Sequence, residues 1–420
     1  MVRVGAMGLL DLLGGKPTPE KFGDEMLRRF RATPGITSAA IDLAAFRIDY
    51  TDAAGSKGFL QLANAFAEYQ AVARGQREAV IAKYLSTLSV VSESKLTFEA
   101  ARPRLLPILR HKSYFGLSEL SMALSLGPPK EGAAAPRVPR KDFVGDIAVG
   151  VAIDSPQTMA VLSSAHLQDW GMELGACLEA AMENLRDLGA GKFRKLSAGL
   201  FVSGWGDSYD ASRVLLTDMF SRLEVRGDPV IALPSTNQVL VAGSHDEKAL
   251  ERLAVAALEG LNAAPRQLSA MLLRLEAGRW TPFVLATPAG NRLEGARHAL
   301  LLRDANDQKR ILEEHYKKTG QDIFVAQYTV YQSKDTGETM SGSVLTIGAV
   351  STIPVADRMF VVHPQTKEVL DVAWEDGARI LGPKLRAEAM FPPRVFVEGQ
   401  PDEAEVAALR AVARKVPGQG

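Results

Sequence analysis

Apolar residues that recur at steps of three and four positions predict helices along much of the chain. In the first helix, residues 20–31, one face carries Phe22, Met26, Leu27 and Phe30. Further helices are predicted at 77–88, 170–188, 246–261 and 292–318. Asp402 is suited to cap a last helix, because its carboxylate can accept hydrogen bonds from the free N–H groups of the first turn.

Short apolar or alternating runs between these helices predict strands. The runs before residue 288 are SAAIDLAAFRIDYT, GFLQLANAF, FVGDIAVGVAID, KLSAGLFVSG, VIALP, QVLVAG and the hairpin LSAMLLRLEAGRWTPFVLA, which turns at Glu276-Ala277-Gly278. The runs after residue 320 are DIFVAQYTVYQ, SGSVLTIGAVS, RMFVVHP and EVLDVAWEDG. Helices and strands do not alternate as repeated βαβ units, so the pattern indicates the α+β class.

Breaker-rich stretches divide this pattern into segments. We predict two small mixed α/β lobes and a C-terminal domain made of a helix and an antiparallel β-meander. The segment GPPKEGAAAPRVPRK contains four prolines and two glycines, which is typical of an exposed linker. The predicted segments are an N-terminal lead-in (1–19), an N-terminal lobe (20–126), a Pro/Gly/Ala linker (127–141), a central lobe (142–287) and a C-terminal domain (292–420).

Composition narrows the class of protein. Apolar residues make up 46% of the 420 positions and charged residues 23%, which is ordinary for a globular protein. Lys plus Arg and Asp plus Glu both number 49, so the basic excess that is typical of nucleic-acid-binding proteins is absent. The single cysteine, Cys177, cannot form an internal disulfide, which fits a reducing cytoplasm. We therefore predict a cytoplasmic protein that does not bind nucleic acid.

The N-terminal residues bear on membrane association. No run approaches the roughly 20 apolar residues that span a bilayer, and the first residues lack the pattern of a signal peptide. Met7 is an alternative start, which would give MGLLDLLGG. Its four leucines could touch a membrane surface or a partner, but packing on the body of the protein is the simpler interpretation.

The stretch GWGDSYDASRVLL, residues 204–216, is the main candidate site. The simplest interpretation is a helix start in which Asp207 is the N-cap and Ser208 the first helical residue. Asp210 would then lie at the positive end of the helix and pair with Arg213 three residues later. Along the same helix, one apolar face would carry Tyr209, Leu216, Phe220 and Leu223.

The same residues allow three functional alternatives. A glycine-flanked Trp205 could line a groove for a peptide or small molecule, and the two carboxylates could hold a divalent cation. An anion site at the helix start is disfavoured because Asp207 and Asp210 already place negative charge there. The candidate ligand-binding residues are Trp205, Asp207, Tyr209, Asp210 and Arg213.

Other catalytic and metal-binding motifs are missing from the sequence. The chain lacks G-x-S-x-G and H-E-x-x-H, and its six histidines do not show metal-ligand spacing. We expect most of the histidines at helix surfaces or turns, and we expect Cys177 to be a buried, unreactive thiol. No metal site, cofactor or catalytic residue is predicted.

The run SYDASRVLL, preceded by LFVSG, resembles the signature of the YtpQ-like bacterial proteins, a family with a domain of unknown function. Further similar stretches are RLLPILR, ENLRDL, VIALP, QVLVAG and RLEAGRWTPFVLA. The resemblance covers residues 20–287 and is better in its second half. It implies a compact cytoplasmic α+β protein and supplies no catalytic residues. The linker and the C-terminal 130 or so residues depart from the family pattern.

Two functional hypotheses follow. The first is a non-enzymatic interaction or scaffold protein of the bacterial cytoplasm, with a protein partner that docks on the C-terminal sheet. The second is an enzyme, or a protein that binds a small ligand or metal, with its site near GWGDSYDASR. An enzyme should bring further titratable groups from distant segments into a pocket at that site.

Overall fold

The computed structural model describes residues 17–43, 45–53, 55, 57–86, 96–126, 137–155, 159–189, 193–333 and 336–414. Helices and sheets occupy separate stretches of these ranges, which confirms the α+β class.

The α-helices are α1 (Pro19–Arg31), α2 (Ala63–Ala71), α3 (Arg77–Ser86), α4 (Phe98–Ala101), α5 (Lys112–Leu126), α6 (Ser164–Trp170), α7 (Leu174–Asp187), α8 (Thr217–Ser221), α9 (Glu247–Ala263), α10 (Pro288–Thr319), α11 (Trp374–Leu381) and α12 (Glu403–Val412). Short 3₁₀ helices occur at Arg74–Gln76, Arg102–Arg104, Ala211–Leu215 and Gly382–Lys384.

The strands as far as residue 283 are β1 (Ile36–Asp42), β2 (Arg47–Asp52), β3 (Lys57–Gln61), β4 (Leu105–His111), β5 (Lys141–Asp142), β6 (Ile147–Asp154), β7 (Met159–Val161), β8 (Arg194–Ser197), β9 (Leu200–Val202), β10 (Pro229–Ser235), β11 (Gln238–Gly243), β12 (Leu272–Glu276) and β13 (Arg279–Phe283). The strands after residue 320 are β14 (Phe324–Val325), β15 (Thr329–Gln332), β16 (Thr339–Thr346), β17 (Ser351–Pro354), β18 (Arg358–Val362), β19 (Val369–Ala373), β20 (Leu385–Ala387) and β21 (Arg394–Val397).

The chain divides into two compact units. Unit 1 comprises Met1–Leu106, Ala152–Leu162 and Gln168–Asn184, and unit 2 comprises Pro107–Val151, Ser163–Leu167 and Leu185–Gly420. The boundaries predicted above concern which segments fold independently, and they remain predictions. Of the predicted linker, residues 127–136 lie outside the described residues, as do residues 1–16 of the lead-in.

Unit 1 is built around the first predicted helix, which is confirmed as α1. The Thr18 side chain accepts a hydrogen bond from the Lys21 N–H and Pro19 occupies the first helical position, so the helix begins there. The apolar face of α1 packs on the antiparallel sheet β1-β2-β3. The buried core of this unit contains Phe22, Met26, Phe30, Ala39, Ile48, Leu62, Ala65, Val80, Ile81 and Tyr84.

Two predicted strands of unit 1 are broken in the structure. The run SAAIDLAAFRIDYT contains the turn between β1 and β2, where Asp42 Oδ1 accepts the Ala45 N–H and Phe46 has a positive φ of 46°. The run GFLQLANAF continues from β3 directly into α2. Both runs are apolar throughout much of their length, so periodicity alone does not mark the change.

The central sheet of unit 2 has six strands in the order β13-β12-β10-β11-β9-β8, all antiparallel to their neighbours. The predicted hairpin of β12 and β13 is confirmed, with Ala277 and Gly278 at positive φ in its turn. KLSAGLFVSG, predicted as one strand, is the hairpin of β8 and β9 around Gly199. Helices α9 and α10 cover one face of the sheet and form the largest apolar cluster of this unit with it.

Helix α10 extends the predicted 292–318 helix to 32 residues, from Pro288 to Thr319. Thr287 caps its start, and Gly320 ends it in the left-handed conformation that glycine favours. Gly290 has no room for a side chain, since a Cβ there would lie 1.8 Å from the Leu285 carbonyl oxygen. Along its length α10 packs against α5 and α9 as well as β14, β15 and β16.

The last part of unit 2 differs from the predicted antiparallel meander. Two four-stranded sheets form, in the orders β14-β17-β21-β20 and β15-β16-β18-β19. The pairs β14–β17 and β16–β18 are parallel, because the chain crosses to the other sheet between the two strands of each pair. EVLDVAWEDG leaves the sheet at Trp374 and becomes α11, whereas Asp402 caps α12 as predicted.

Within the described ranges, every helix is too short or too polar to cross a lipid bilayer.

Candidate functional site

The predicted site lies in a loop of unit 2 between β9 and α8, and its local structure differs from the expected helix start. Gly206 and Ser208 both have positive φ, 68° and 70°, so Ser208 is not a helical residue. Asp207 is therefore not an N-cap. A short 3₁₀ helix begins only at Ala211, and Asp210 before it makes no side-chain capping bond.

Arg213 pairs with Asp207, and the predicted pair with Asp210 is wrong. The guanidinium donates Nη1–H to Asp207 Oδ1 at 2.8 Å and Nη2–H to Asp207 Oδ2 at 2.5 Å. Only 1% of the Arg213 side chain is exposed, against 34% of the Asp207 side chain. Asp210 is also buried, and its carboxylate accepts the Gly206 N–H at 3.1 Å. The two carboxylates thus stabilise the loop backbone at different points.

Trp205 covers the Arg213 guanidinium, whose central carbon lies 4.8 Å from the centroid of the indole ring. A desolvated contact of this kind stabilises both groups through the negative face of the ring. The Trp205 ring packs edge-on against Phe193, and the chain of rings continues through Phe220 to Trp280. Trp280 Nε1–H donates to the Val214 carbonyl oxygen at 2.8 Å, which fastens the 3₁₀ helix to the sheet.

The charges of this loop are matched with each other. Burial alone would raise the pKa of Asp207, but the hydrogen bonds from Arg213 and from the Tyr209 N–H outweigh burial and lower it. Asp207 is therefore ionised at neutral pH and neutralises Arg213. Tyr209, Leu216 and Phe220 are buried, as the predicted apolar face requires, although they do not share one helix.

A second polar site in unit 2 was not found from the sequence. His111 at the end of β4 lies between the carboxylates of Asp146, in the turn before β6, and Asp304, in the middle of α10. Its Nε2 is 3.5 Å from Asp146 Oδ2 and its Nδ1 is 3.2 Å from Asp304 Oδ2. The three residues are 8%, 5% and 4% exposed, so water contributes little to their solvation. We call this cluster the His111 junction.

Hydroxyl groups and one arginine complete the His111 junction. Ser113 Oγ lies 2.9 Å from His111 Nδ1, and Ser269 Oγ donates to Asp146 Oδ1 at 2.7 Å. Arg303 Nε–H donates to Asp304 Oδ1 at 3.0 Å. The junction therefore joins β4, the start of α5, the turn before β6, the segment before β12 and α10.

The ionisation of His111 determines what this cluster can do chemically. Burial lowers the pKa of the imidazole, but the two carboxylates outweigh burial and raise it to about 9. Burial likewise raises the pKa of Asp304, and His111 and Arg303 outweigh that effect and lower it. At neutral pH an imidazolium thus lies between carboxylates and cannot accept a proton from Ser113. Serine, histidine and aspartate thus meet here around a charged imidazole, with the Ser113 N–H and hydroxyl both next to Nδ1.

His298 forms a second buried imidazole site on α10. Its Nδ1 lies 2.9 Å from Thr339 Oγ1, and its Nε2 lies 3.3 Å from Asp357 Oδ2. Asp357 also accepts hydrogen bonds from the Ser341 N–H and hydroxyl. The contact with His298, together with these two hydrogen bonds, holds the pKa of Asp357 well below its usual range. His111 and His298 thus depart from the expected placement of histidines at helix surfaces and turns.

The remaining reactive groups add no further site. Cys177 is buried and its burial raises the pKa of the thiol, so it is protonated at neutral pH. Within the described ranges, no three side chains of His, Cys, Asp and Glu are grouped so that they could hold a metal ion.

No protein-family model, curated protein or solved structure matches this chain.

Proposed function

We propose that this protein acts by binding a protein partner and that it does not catalyse a reaction. The ionisable groups that converge in unit 2 support this. His111 is already protonated and buried between its two carboxylates, and the Arg213 charge is neutralised by Asp207. General acid–base catalysis needs a group that exchanges protons near the working pH and reaches the substrate. Neither cluster meets that requirement.

The proposal rests on a difference between the outermost strands of three sheets in unit 2, which are not equally protected against pairing with another strand. An unpaired strand edge attracts other strands, and most proteins protect it with charge, proline, irregular register or short length. In the six-stranded sheet, β8 has exposed Arg194 and Lys195 and a register shift, and β13 contains Pro282. β14 and β20 have only two and three residues, and Arg414 pairs with Asp371 at the outer side of β19.

Strand β15 has no charged residue, proline or register shift, and it is longer than β14 and β20. Its sequence, Thr329 to Gln332, is uncharged, and its four residues pair with β16 without a register shift. Tyr331 is 41% exposed and packs edge-on against Phe360 of β18. An extended partner segment can add to this edge through main-chain hydrogen bonds, with Tyr331 offering an apolar contact. We therefore assign the partner-binding site to the edge of β15.

Matched lysine substitutions on two edges test this assignment. Tyr331→Lys places a charge on the β15 edge, and Leu196→Lys makes the same change at an exposed apolar residue of β8. The tagged variants and the wild type are used to capture partners from bacterial extract, followed by quantitative mass spectrometry. We expect Tyr331→Lys to lose at least tenfold of a partner that Leu196→Lys retains. Equal retention by both variants contradicts a site on β15.

The cytoplasmic location and the relationship to the YtpQ-like bacterial proteins belong to the same proposal. They rest on the single cysteine and on the resemblance of SYDASRVLL and its companion stretches. Fractionation of cells that express the tagged protein tests the location.

One observation favours a second candidate, a small-ligand or metal site at the loop of residues 204–213. Trp205 Nε1 and Arg213 Nε are buried without a hydrogen-bond partner among the described residues, beside the partly exposed Asp207. Calorimetric titration with divalent cations, and with metabolites chosen by thermal-shift screening, tests it. Binding that Asp207→Asn abolishes and Asp218→Asn preserves would favour this candidate over partner binding.

A further inference from the structure

The His111 junction fastens the middle of helix α10 to the end of β4 through a titratable group. Four residues after Asp304, Gln308 adds a polar fastening that does not titrate, since it donates to the Pro392 carbonyl oxygen and accepts from Arg394 Nε–H. Asp304, 16 residues after Pro288, projects from α10 toward the end of β4. On the side of α9 and the central sheet, α10 is held by apolar contacts that include Ala289, Leu293 and Leu300, and Arg303 Nη1–H donates to Gln267 Oε1 at 2.8 Å. Apolar contacts do not respond to protonation, whereas the contact at Asp304 does.

The geometry of the junction makes its strength depend on charge. His111 Nε2, Asp146 Oδ2 and Asp304 Oδ2 are all buried, and among the described residues none has a partner in full hydrogen-bond geometry. Each of the two carboxylate oxygens lies within 3.5 Å of an imidazole nitrogen as an ion pair. If the imidazole becomes neutral, the ionic attraction disappears, and the single N–H that remains can serve only one of the two carboxylates. Two buried carboxylates would then flank a neutral ring without the cation between them, which is strongly unfavourable.

Other groups that face the junction compensate only part of the negative charge of Asp146 and Asp304. From α10, Arg303 reaches the second oxygen of Asp304 but is 55% exposed, and Arg297 acts on Asp146 through space. Asp307, also on α10, adds negative charge near Asp304. Among the described residues, the hydroxyls of Ser113 and Ser269 and the edge of the Phe391 ring also contact the junction. Arg110 and Lys112 flank His111 in the chain, and Lys112 pairs with Asp142.

We propose that His111 is a proton-operated latch, which holds the middle of α10 to the end of β4 and the turn before β6 while the imidazole is charged. Loss of the proton loosens this part of α10 without unfolding the apolar clusters of unit 2. The latch goes beyond partner binding, since it concerns the motion of α10 and does not require the edge of β15.

The sign of the pH dependence follows from the direction of the pKa shift. The pKa of His111 is raised from the ordinary histidine value to about 9. The stability contributed by the junction is therefore complete below about pH 6.5, the pKa of an unperturbed histidine, and is lost as the pH rises through 9.

Two measurements on the wild-type protein test the latch. Histidine-selective NMR gives the titration of His111, and hydrogen exchange with mass spectrometry from pH 7 to pH 10.5, corrected for intrinsic exchange, gives the protection of each helix. We expect His111 to titrate near pH 9, with residues 300–308 of α10 losing protection over the same range while α9 keeps it. A His111 titration near pH 6.5, or unchanged protection of α10, overturns the proposal.

A variant pair tests whether the carboxylate of α10 sets the midpoint. Asp304→Asn removes one of the two charges and should lower the midpoint by about 1 to 3 pH units. Glu314→Gln, an exposed position on the same helix that pairs with Lys318, should leave it unchanged. An unchanged midpoint in folded Asp304→Asn contradicts the latch, and if that variant does not fold, the wild-type titrations decide the question.

Discussion

Arg213 and His111 are both buried cations with carboxylate partners, yet they are built from the chain in opposite ways. Arg213 reaches Asp207, six residues earlier in the same loop, and that carboxylate keeps one third of its side chain in solvent. His111 is held by residues of two distant segments, and both carboxylates are buried. Loss of a partner therefore leaves different groups unpaired, a guanidinium at the first site and carboxylates at the second. The first site can recover some hydration, whereas the second cannot.

Among substitutions that test this comparison, we expect the largest loss of unfolding free energy at the His111 junction. His111→Leu removes the cation between Asp146 and Asp304 and leaves only the partial compensation from Arg303 and Arg297. Removal of one partner from a buried ion pair costs about 3–5 kcal/mol in the free energy of unfolding. Urea unfolding at pH 7 measures this cost. His245→Leu, at an exposed histidine, should change it by less than about 0.5 kcal/mol. Equal effects of the two variants would contradict the described junction.

A smaller effect is expected at the Arg213 clamp, the pair of Arg213 with Asp207. Asp207→Ala leaves the buried guanidinium without its bidentate acceptor, which should cost about 1–3 kcal/mol. The control is Asp218→Ala, because Asp218 makes an exposed pair with Arg222 that contributes little. Urea unfolding of both variants measures the two costs. A loss no greater than that of the control would show that Arg213 finds another partner.

The two sites should also respond to pH with opposite sign. The pKa of Asp207 is lowered, so its contribution to stability is complete above the ordinary aspartate pKa of about 3.9 and is lost as the pH falls. The difference in unfolding free energy between the wild type and Asp207→Ala should therefore shrink below pH 4. The corresponding difference for His111→Leu should shrink instead above pH 9. Chemical unfolding at pH 3, 7 and 10 distinguishes the two.

The smallest effect is expected in the backbone of the clamp. Ser208 has a φ of 70°, a conformation that costs an L-residue about 1–2 kcal/mol. Ser208→Gly removes that strain but adds about 0.5–1 kcal/mol of unfolded-chain entropy. A gain of about 0–1.5 kcal/mol should result, which is detectable as a small rise in Tm. A clear loss of stability would mean that the Ser208 side chain makes a contact that outweighs the strain.

The same contrast explains what could be predicted from the sequence. Helices α1 and α9 and the hairpin of β12 and β13 depend on periodicity, capping and turn residues within a short window, and all were predicted. Residues 204–213 could also be identified as a candidate site from the sequence, since the residues that pair there lie close together along the chain. The pairing predicted there was wrong because a left-handed serine has no marked sequence signal.

The His111 junction could not be predicted because its members meet only after the sheet and α10 have packed. A histidine at the end of the apolar strand LLPILRH indicates a buried polar group, but nothing local identifies its carboxylate partners. The parallel pairing of β16 and β18 was missed for a related reason. It requires β17 to join another sheet, and this is decided by packing over long separations.

The wide separation of His111 and Asp304 along the sequence also affects when the junction can form during synthesis. Ribosomes extend a chain at about 5–20 residues per second, so Asp304 is made roughly 10–40 s after His111. During that interval β4 and the turn with Asp146 exist without α10, and their polar side chains stay hydrated. We therefore expect the junction to close late in folding. Weakening it should then speed unfolding while leaving the rate of folding almost unchanged.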